Sequence, residues 1–163
     1  MVRSKKENLI IKSSAFVDTG TMPLEYTGYG SDQSPPLTLQ NISSDARSIA
    51  IIMEDLDIPM IKAFPHWLIW NIPVMSDIPE NIPSGKIVDS LHGAIQGIAY
   101  GKHEYRGPKP PKIIKNSHRY RFNVYILDAM LDLSSDAKKK KLLDAMVGHI
   151  LQESSITGIF KNQ

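Results

Sequence analysis

Five side chains in this sequence have the chemistry to hold or turn over a small ligand: Asp55, Asp57, His66, His118 and Tyr120. Asp55 and Asp57 are two residues apart, so on an extended chain they share a face. Such a pair can bind a metal, act as acid and base, or stabilise a turn by accepting loop amides. His118 and Tyr120 alternate with Phe122, Val124 and Ile126, while Arg119, Arg121, Asn123 and Tyr125 fall on the opposite side. That is the period of a half-buried strand with a polar pair at the mouth of its apolar face, a setting that suits a small-ligand pocket. His66 opens a second apolar segment, and strict alternation gives it Leu68 and Trp70 as companions. A lone histidine in such a place is ordinarily a core or edge residue. Here three loop-to-strand junctions each offer Asp or His, and that convergence favours a shared site.

Several chemistries lack their marks. The chain has no cysteine, which excludes disulfides, thiolate zinc sites and thiol nucleophiles. It has no H-x-x-x-H, H-x-H or H-E-x-x-H, so a metal fits poorly and no cofactor is implied. G-x-S-x-G, the P-loop and G-x-G-x-x-G are also missing. Ser117 adjoins His118, but neighbours on a strand face opposite ways. His92, His103 and His149 read as surface or structural residues; His149 falls late in a predicted helix, where a cation suits the dipole.

The elements that must position these groups are mostly strands. The pattern predicts strands over 9–16, 37–39, 48–54, 66–73 and 118–126, with a last short strand at 157–160. The mostly apolar run 48–54 belongs in a central position. Segments 31–36 and 73–85 are loops because of their prolines, and 87–100 fits neither period. The rigid stretch Gly107-Pro-Lys-Pro-Pro111 cannot join a sheet ladder and feeds the strand bearing His118. One helix is expected near the end, capped by Ser134 or Ser135, with apolar residues at 142, 143, 146, 147, 150 and 151. Lys138–Lys141 reads as its solvated face, with lipid or partner contact as the alternative. Many short strands and one late helix imply a mainly β, Greek-key sandwich of two antiparallel sheets with a small C-terminal helical part.

At 163 residues, one domain over 1–163 is the simplest organisation. Apolar residues make up 42% and charged residues 22%, ordinary for a globular chain. A net charge of +2 argues against a nucleic-acid partner. The polar start reads as no signal peptide, and no apolar stretch is long enough for integral membrane association, so a cytoplasmic protein is expected.

Four ordered segments carry a family resemblance: Ser34-Pro-Pro-Leu37, Asp55-Leu-Asp-Ile-Pro59, His66-Trp-Leu-Ile-Trp-Asn-Ile-Pro73, and Tyr105-Arg-Gly-Pro-Lys-Pro-Pro111 with His118-Arg-Tyr120 and Leu127-Asp128. In order and spacing the chain resembles the phosphatidylethanolamine-binding protein family, which includes the Raf kinase inhibitor-like proteins, and in particular its prokaryotic branch. The resemblance implies a pocket for a small anion, phosphate-like or carboxylate, on Asp55, Pro59, His66, Gly107, Pro110, Pro111, His118 and Tyr120. Asp57, Phe64 and Pro108 belong to the same motifs and join the expected ligand-binding set. Leu56, Ile58, Phe64 and Leu39 depart from the family pattern and alter the pocket wall. Lys109 and Lys112 flank the proline-rich loop.

The expected function is therefore non-enzymatic anion or headgroup binding, with regulation of a kinase or protease partner implied by the resemblance, as is a homodimer. The alternative is a hydrolase or isomerase with His66 or His118 as general base and an Asp partner.

Overall fold

A computed structural model describes residues 8–113 and 117–162. The first seven residues, and residues 114–116 of the loop before the His118 strand, lie outside the described part.

In chain order the elements are β1 (Ile10–Lys12), β2 (Gly20–Thr21), β3 (Leu37–Gln40), β4 (Ser48–Asp55), β5 (Phe64–Ile72), β6 (Asp77–Ile78), β7 (Ile87–Val88), β8 (Ala94–Gln96), β9 (Ser117–Leu127), α1 (Lys139–Met146) and β10 (Ile150–Lys161). They form a three-stranded sheet, β1-β3-β6, and a seven-stranded sheet, β2-β10-β9-β4-β5-β8-β7. Every pairing is antiparallel except the two-residue pairing of β2 with β10, which is parallel.

The central placement expected for 48–54 holds: all eight residues of β4 are buried, because both faces of the large sheet are covered. On one face Ile49, Ile51 and Met53 meet Ile126, Val124 and Phe122 of β9, under Ile11, Leu37, Leu39 and Ile78 of the small sheet. On the other, Ala50, Ile52, Leu68 and Trp70 pack beneath Leu142 and Met146 of α1. Burying an aliphatic side chain in such layers contributes about 1.5–3 kcal/mol each before the entropy of ordering is subtracted.

The C-terminal reading needs correction. The helix is shorter than expected, begins after Lys138 and ends at Met146. Ser134 instead closes a turn, accepting the Asp136 N–H on its hydroxyl and the Ala137 N–H on its carbonyl. Gly148 adopts φ +81°, a left-handed conformation that stops a helix. The chain then enters β10, twelve residues long rather than four, which pairs with β9 along its length. The first strand is likewise three residues, not eight. The stretch 87–100 resolves into β7, a short turn and β8, and Asp77–Ile78 forms a short strand where a loop was expected.

β5 departs from regular geometry in a way that decides where the site forms. Asp55 pairs with Phe64, Glu54 with Pro65 and Met53 with Trp67, so His66 is an extra residue without a cross-strand partner. Such a β-bulge breaks the alternation and redirects side chains. A second bulge lies at Trp70 and Asn71, and Asn71 sits at φ +56°. Its amide exchanges two hydrogen bonds with the Leu131 backbone.

Candidate functional site

The column of core pairs along β4 and β9 ends in a polar layer. Ile49/Ile126, Ile51/Val124 and Met53/Phe122 give way to Asp55/Tyr120, and His118 follows on the same face of β9. A cavity of about 260 Å³ opens there. Asp55, His66, His118 and Tyr120 line it, with Pro59, Gly107, Pro110 and Pro111 from two loops. These are the eight residues that the family resemblance implied.

His66 reaches the cavity because of the bulge. Strict alternation would have set it with Leu68 and Trp70 against α1; instead its ring lies 5.3 Å from that of Tyr120 and 4.9 Å from that of Tyr100. The residue is 4% exposed. Its Nδ1–H donates to the Arg106 carbonyl at 2.8 Å. A carbonyl can only accept, so this bond fixes the tautomer and leaves Nε2 with the lone pair in the neutral ring. Nε2 is buried and has no partner among the described residues. Burial pushes the His66 pKa below the ordinary histidine value, against the raising effects of the Arg106 carbonyl and the Asp55 charge.

Asp55 gathers donors. Its Oδ1 accepts the Asp57 N–H at 2.8 Å and its Oδ2 the His118 Nδ1–H at 2.8 Å. Tyr120 stands opposite it on β9, and burial followed by the Asp55 charge pushes the phenol well above its ordinary range. A carboxylate with a donor on each oxygen is a fixed acceptor that orients the groups around it.

The loop wall is clamped from behind by distant segments. Gly107 N–H donates to Asp32 Oδ1 at 2.8 Å, and the Pro108 carbonyl accepts the Gly28 N–H at 2.8 Å. The Pro110 carbonyl takes the Tyr29 hydroxyl, and the Pro111 carbonyl takes the Asn162 amide at 2.9 Å. A Cβ at 107 would collide with the Tyr26 carbonyl and stand 2.5 Å from Asp32 Oδ1, so only glycine fits. The loop thus presents proline rings and few free amide donors, since prolines have none and Gly107 N–H is engaged.

The remaining expected residues lie at the margin. Asp57 turns to Arg119, accepting from its backbone N–H at 2.7 Å and its guanidinium at 2.9 and 3.0 Å. Phe64 packs edge-on to Tyr100 at 5.0 Å and to His66 at 6.2 Å behind the lining. Pro108 is buried behind the loop. Four lining residues were not in the expected set as ligand contacts: Ile58, Tyr100, Arg106 and Lys109. Tyr100 and Gly101 have φ of +53° and +69° in a two-residue turn closed by Ala99 and Lys102, and the Arg106 guanidinium lies 4.0 Å over the Tyr100 ring. A Tyr-Gly turn signal and the Arg inside the Tyr105–Pro111 motif were the available clues.

His103 donates Nδ1–H to the Gln96 carbonyl and His149 to Asp128, each at 2.8 Å. Among the described residues, no group of three or more His, Asp or Glu is placed to hold a metal ion, and no helix is long and apolar enough to cross a membrane.

Residues 12–161 match the family model for the phosphatidylethanolamine-binding proteins. A UPF0098 protein of Methanothermobacter thermautotrophicus is 41% identical over 154 residues, covering 93% of this chain and 97% of that protein. One of Pyrococcus abyssi is 39% identical over 159 residues, covering 96% and 88%. A UPF0098 protein of Archaeoglobus fulgidus is 41% identical over 154 residues, but the chain spans only 51% of its length. Among solved structures, a phosphatidylethanolamine-binding protein homolog of Chlamydia trachomatis superposes with a TM-score of 0.84 at 30% identity, covering 96% of this chain and 99% of that one. Escherichia coli YbcL gives the same TM-score at 21% identity, which speaks to the fold alone. The fold is a mainly β sandwich of two sheets, and the chain belongs to the phosphatidylethanolamine-binding protein family.

Proposed function

We propose that this chain is a non-enzymatic binding protein whose cavity takes a small anionic group, phosphate-like or carboxylate. The observation that carries the reading is the cavity at the end of the β4–β9 core, whose lining sets His66 and His118 beside Arg106 and Lys109. Two imidazoles beside a guanidinium and an ammonium group can hold an anion by charge and hydrogen bonds. The lining offers no Ser, Thr or Cys as a nucleophile among the described residues, which supports binding over catalysis.

The test is an NMR titration of the labelled chain with inorganic phosphate. Saturable shifts at His66, His118 and the 105–111 loop, lost in His118→Ala with the remaining spectrum unchanged, support the reading. Shifts elsewhere, or none, refute it.

A further inference from the structure

One wall of the cavity, Ile58 and Pro59, belongs to the loop 56–63 that joins β4 to β5. The two limbs of this loop are held differently. The outgoing limb is tied to β9 and to Asp55. Leu56 N–H donates to the Arg119 carbonyl at 2.9 Å, Asp57 N–H donates to Asp55, and the Asp57 carboxylate accepts from Arg119. The returning limb has no such packing. Residues 59–62 are all exposed, and Met60 completely so. Met60 and Ala63 sit at φ of +65° and +45°, a conformation that strains a residue with a side chain and persists only where the surroundings hold it. Ile61 N–H closes a turn onto the Ile58 carbonyl at 3.2 Å. Among the described residues, the one hydrogen bond that ties residues 60–63 to another element is at the Ala63 carbonyl, which accepts Lys139 Nζ at 3.1 Å.

The same ammonium group donates to Glu54 Oε2. Successive residues of a strand face opposite ways, so Asp55 faces the cavity while Glu54 faces α1. Glu54 is paired with Pro65 across the strands, and the next pair is Met53 with Trp67. Lys139, the first residue of α1, therefore spans β4 and the entry to β5 behind the bulge at which His66 loses its cross-strand partner. Glu54 is the fixed end of this staple. Its side chain is 5% exposed, and its Oε1 accepts Asn123 at 2.8 Å and Arg121 at 3.5 Å. A buried carboxylate held on both oxygens fixes the ammonium group, and the ammonium group fixes Ala63. We propose that Lys139 is a positioning residue for the cavity. It lines no part of the cavity, yet it sets the returning limb of the loop 56–63 and the bulge that turns His66 inward. A lysine that only neutralised Glu54 would, when removed, loosen the fold as a whole; a positioning lysine loosens this corner first.

The experiment compares NMR spectra and amide hydrogen exchange of the ligand-free wild-type chain with those of Lys139→Met, Lys139→Arg and Ile11→Val. The last is a control that loosens the core from the small sheet. In Lys139→Met the signals of residues 60–67 and of the His66 ring should move most. The protected amides of 64–67 should exchange at least about tenfold faster than in wild type, while those of β9 change far less. Lys139→Arg, which keeps a cationic donor, should stay close to wild type. Ile11→Val should leave the His66 ring signals in place. Changes in Lys139→Met that spread evenly over the core, or His66 ring signals that do not move, overturn the proposal. If Lys139→Met does not fold, the wild-type ammonium groups decide. The Lys139 ammonium should exchange its protons slowly enough to give its own ¹⁵N-resolved signal, because Glu54 and Ala63 shield it, whereas that of the exposed Lys141 should not. Equally fast exchange in the two overturns the proposal. The anion-binding reading stands or falls separately, on phosphate titration of the wild-type chain: no binding ends that reading and leaves the ligand-free comparison to decide on Lys139.

Discussion

His118 and Asp55 meet at 2.8 Å, Nδ1 to Oδ2, on adjacent strands at the end of the apolar core, with side chains 8% and 4% exposed. Asp55 is the fixed point of the site, because the Asp57 amide also donates to it and Tyr120 is its cross-strand partner. Asp55→Ala should leave several buried donors without a partner and lower stability by about 2–4 kcal/mol. Asp55→Asn keeps the shape and should lose less. Urea denaturation of the two variants checks the order; equal losses would mean that the carboxylate charge, not the side chain's shape, carries the whole contribution.

His66 gives stability a pH dependence of definite sign. Its folded pKa lies below the ordinary 6.5 because of burial. The unfolded chain therefore binds the proton more readily, and the contribution of neutral His66 is complete above about pH 6.5 and is lost as pH falls toward the lower folded value. The midpoint of thermal unfolding should drop over this window in wild type, and drop less in His66→Gln. A saturating anion that favours the imidazolium should offset the drop.

Gly107→Ala tests the clamped loop. The added methyl meets backbone and Asp32 on the inner side, so the loop must shift away from 26–32. Such overpacking costs about 1–3 kcal/mol and should weaken anion binding along with stability, both measurable on one sample by calorimetry and melting. Asp57→Ala is the contrast: its partner is the exposed Arg119, so affinity for the anion should stay unchanged.

Lys139 behaves unlike its neighbours in the lysine run. It bonds to Glu54, whose side chain is 5% exposed, and to the Ala63 carbonyl at 3.1 Å. Lys139→Ala should destabilise by about 1–3 kcal/mol by stripping charge compensation from a buried carboxylate, whereas Lys141→Ala should have little effect. Comparable losses in the two would return the whole run to the status of a solvated face.

The parts of this design readable from sequence are those that obey a simple period. His118 and Tyr120 fall on the core face of β9 because that strand runs from 117 to 127 with unbroken alternation. β4 was legible as central because both its faces are apolar. His66 was legible as a candidate and not in its direction, since the bulge that turns it is a property of the β4–β5 pairing. The C-terminal strand was misread because Ile150 and Leu151 continue the helical spacing of Met146 and Val147; Gly148, the residue that ends the helix, was the overlooked signal. The loop clamps came from Gly28, Tyr29, Asp32 and Asn162, residues remote in sequence whose convergence only the folded chain reveals. The family motifs named eight residues that line the cavity where periodicity could not, while Asp57, Phe64 and Pro108 within them lie behind or beside it.

The most direct test of the proposed anion binding is calorimetric titration of wild type and His66→Ala with O-phosphorylethanolamine at about pH 6, near the unperturbed imidazole value. Saturable one-site binding in wild type, weakened at least about tenfold in the variant, is the predicted result. Equal affinity in both chains, or no heat of binding in wild type, would contradict it.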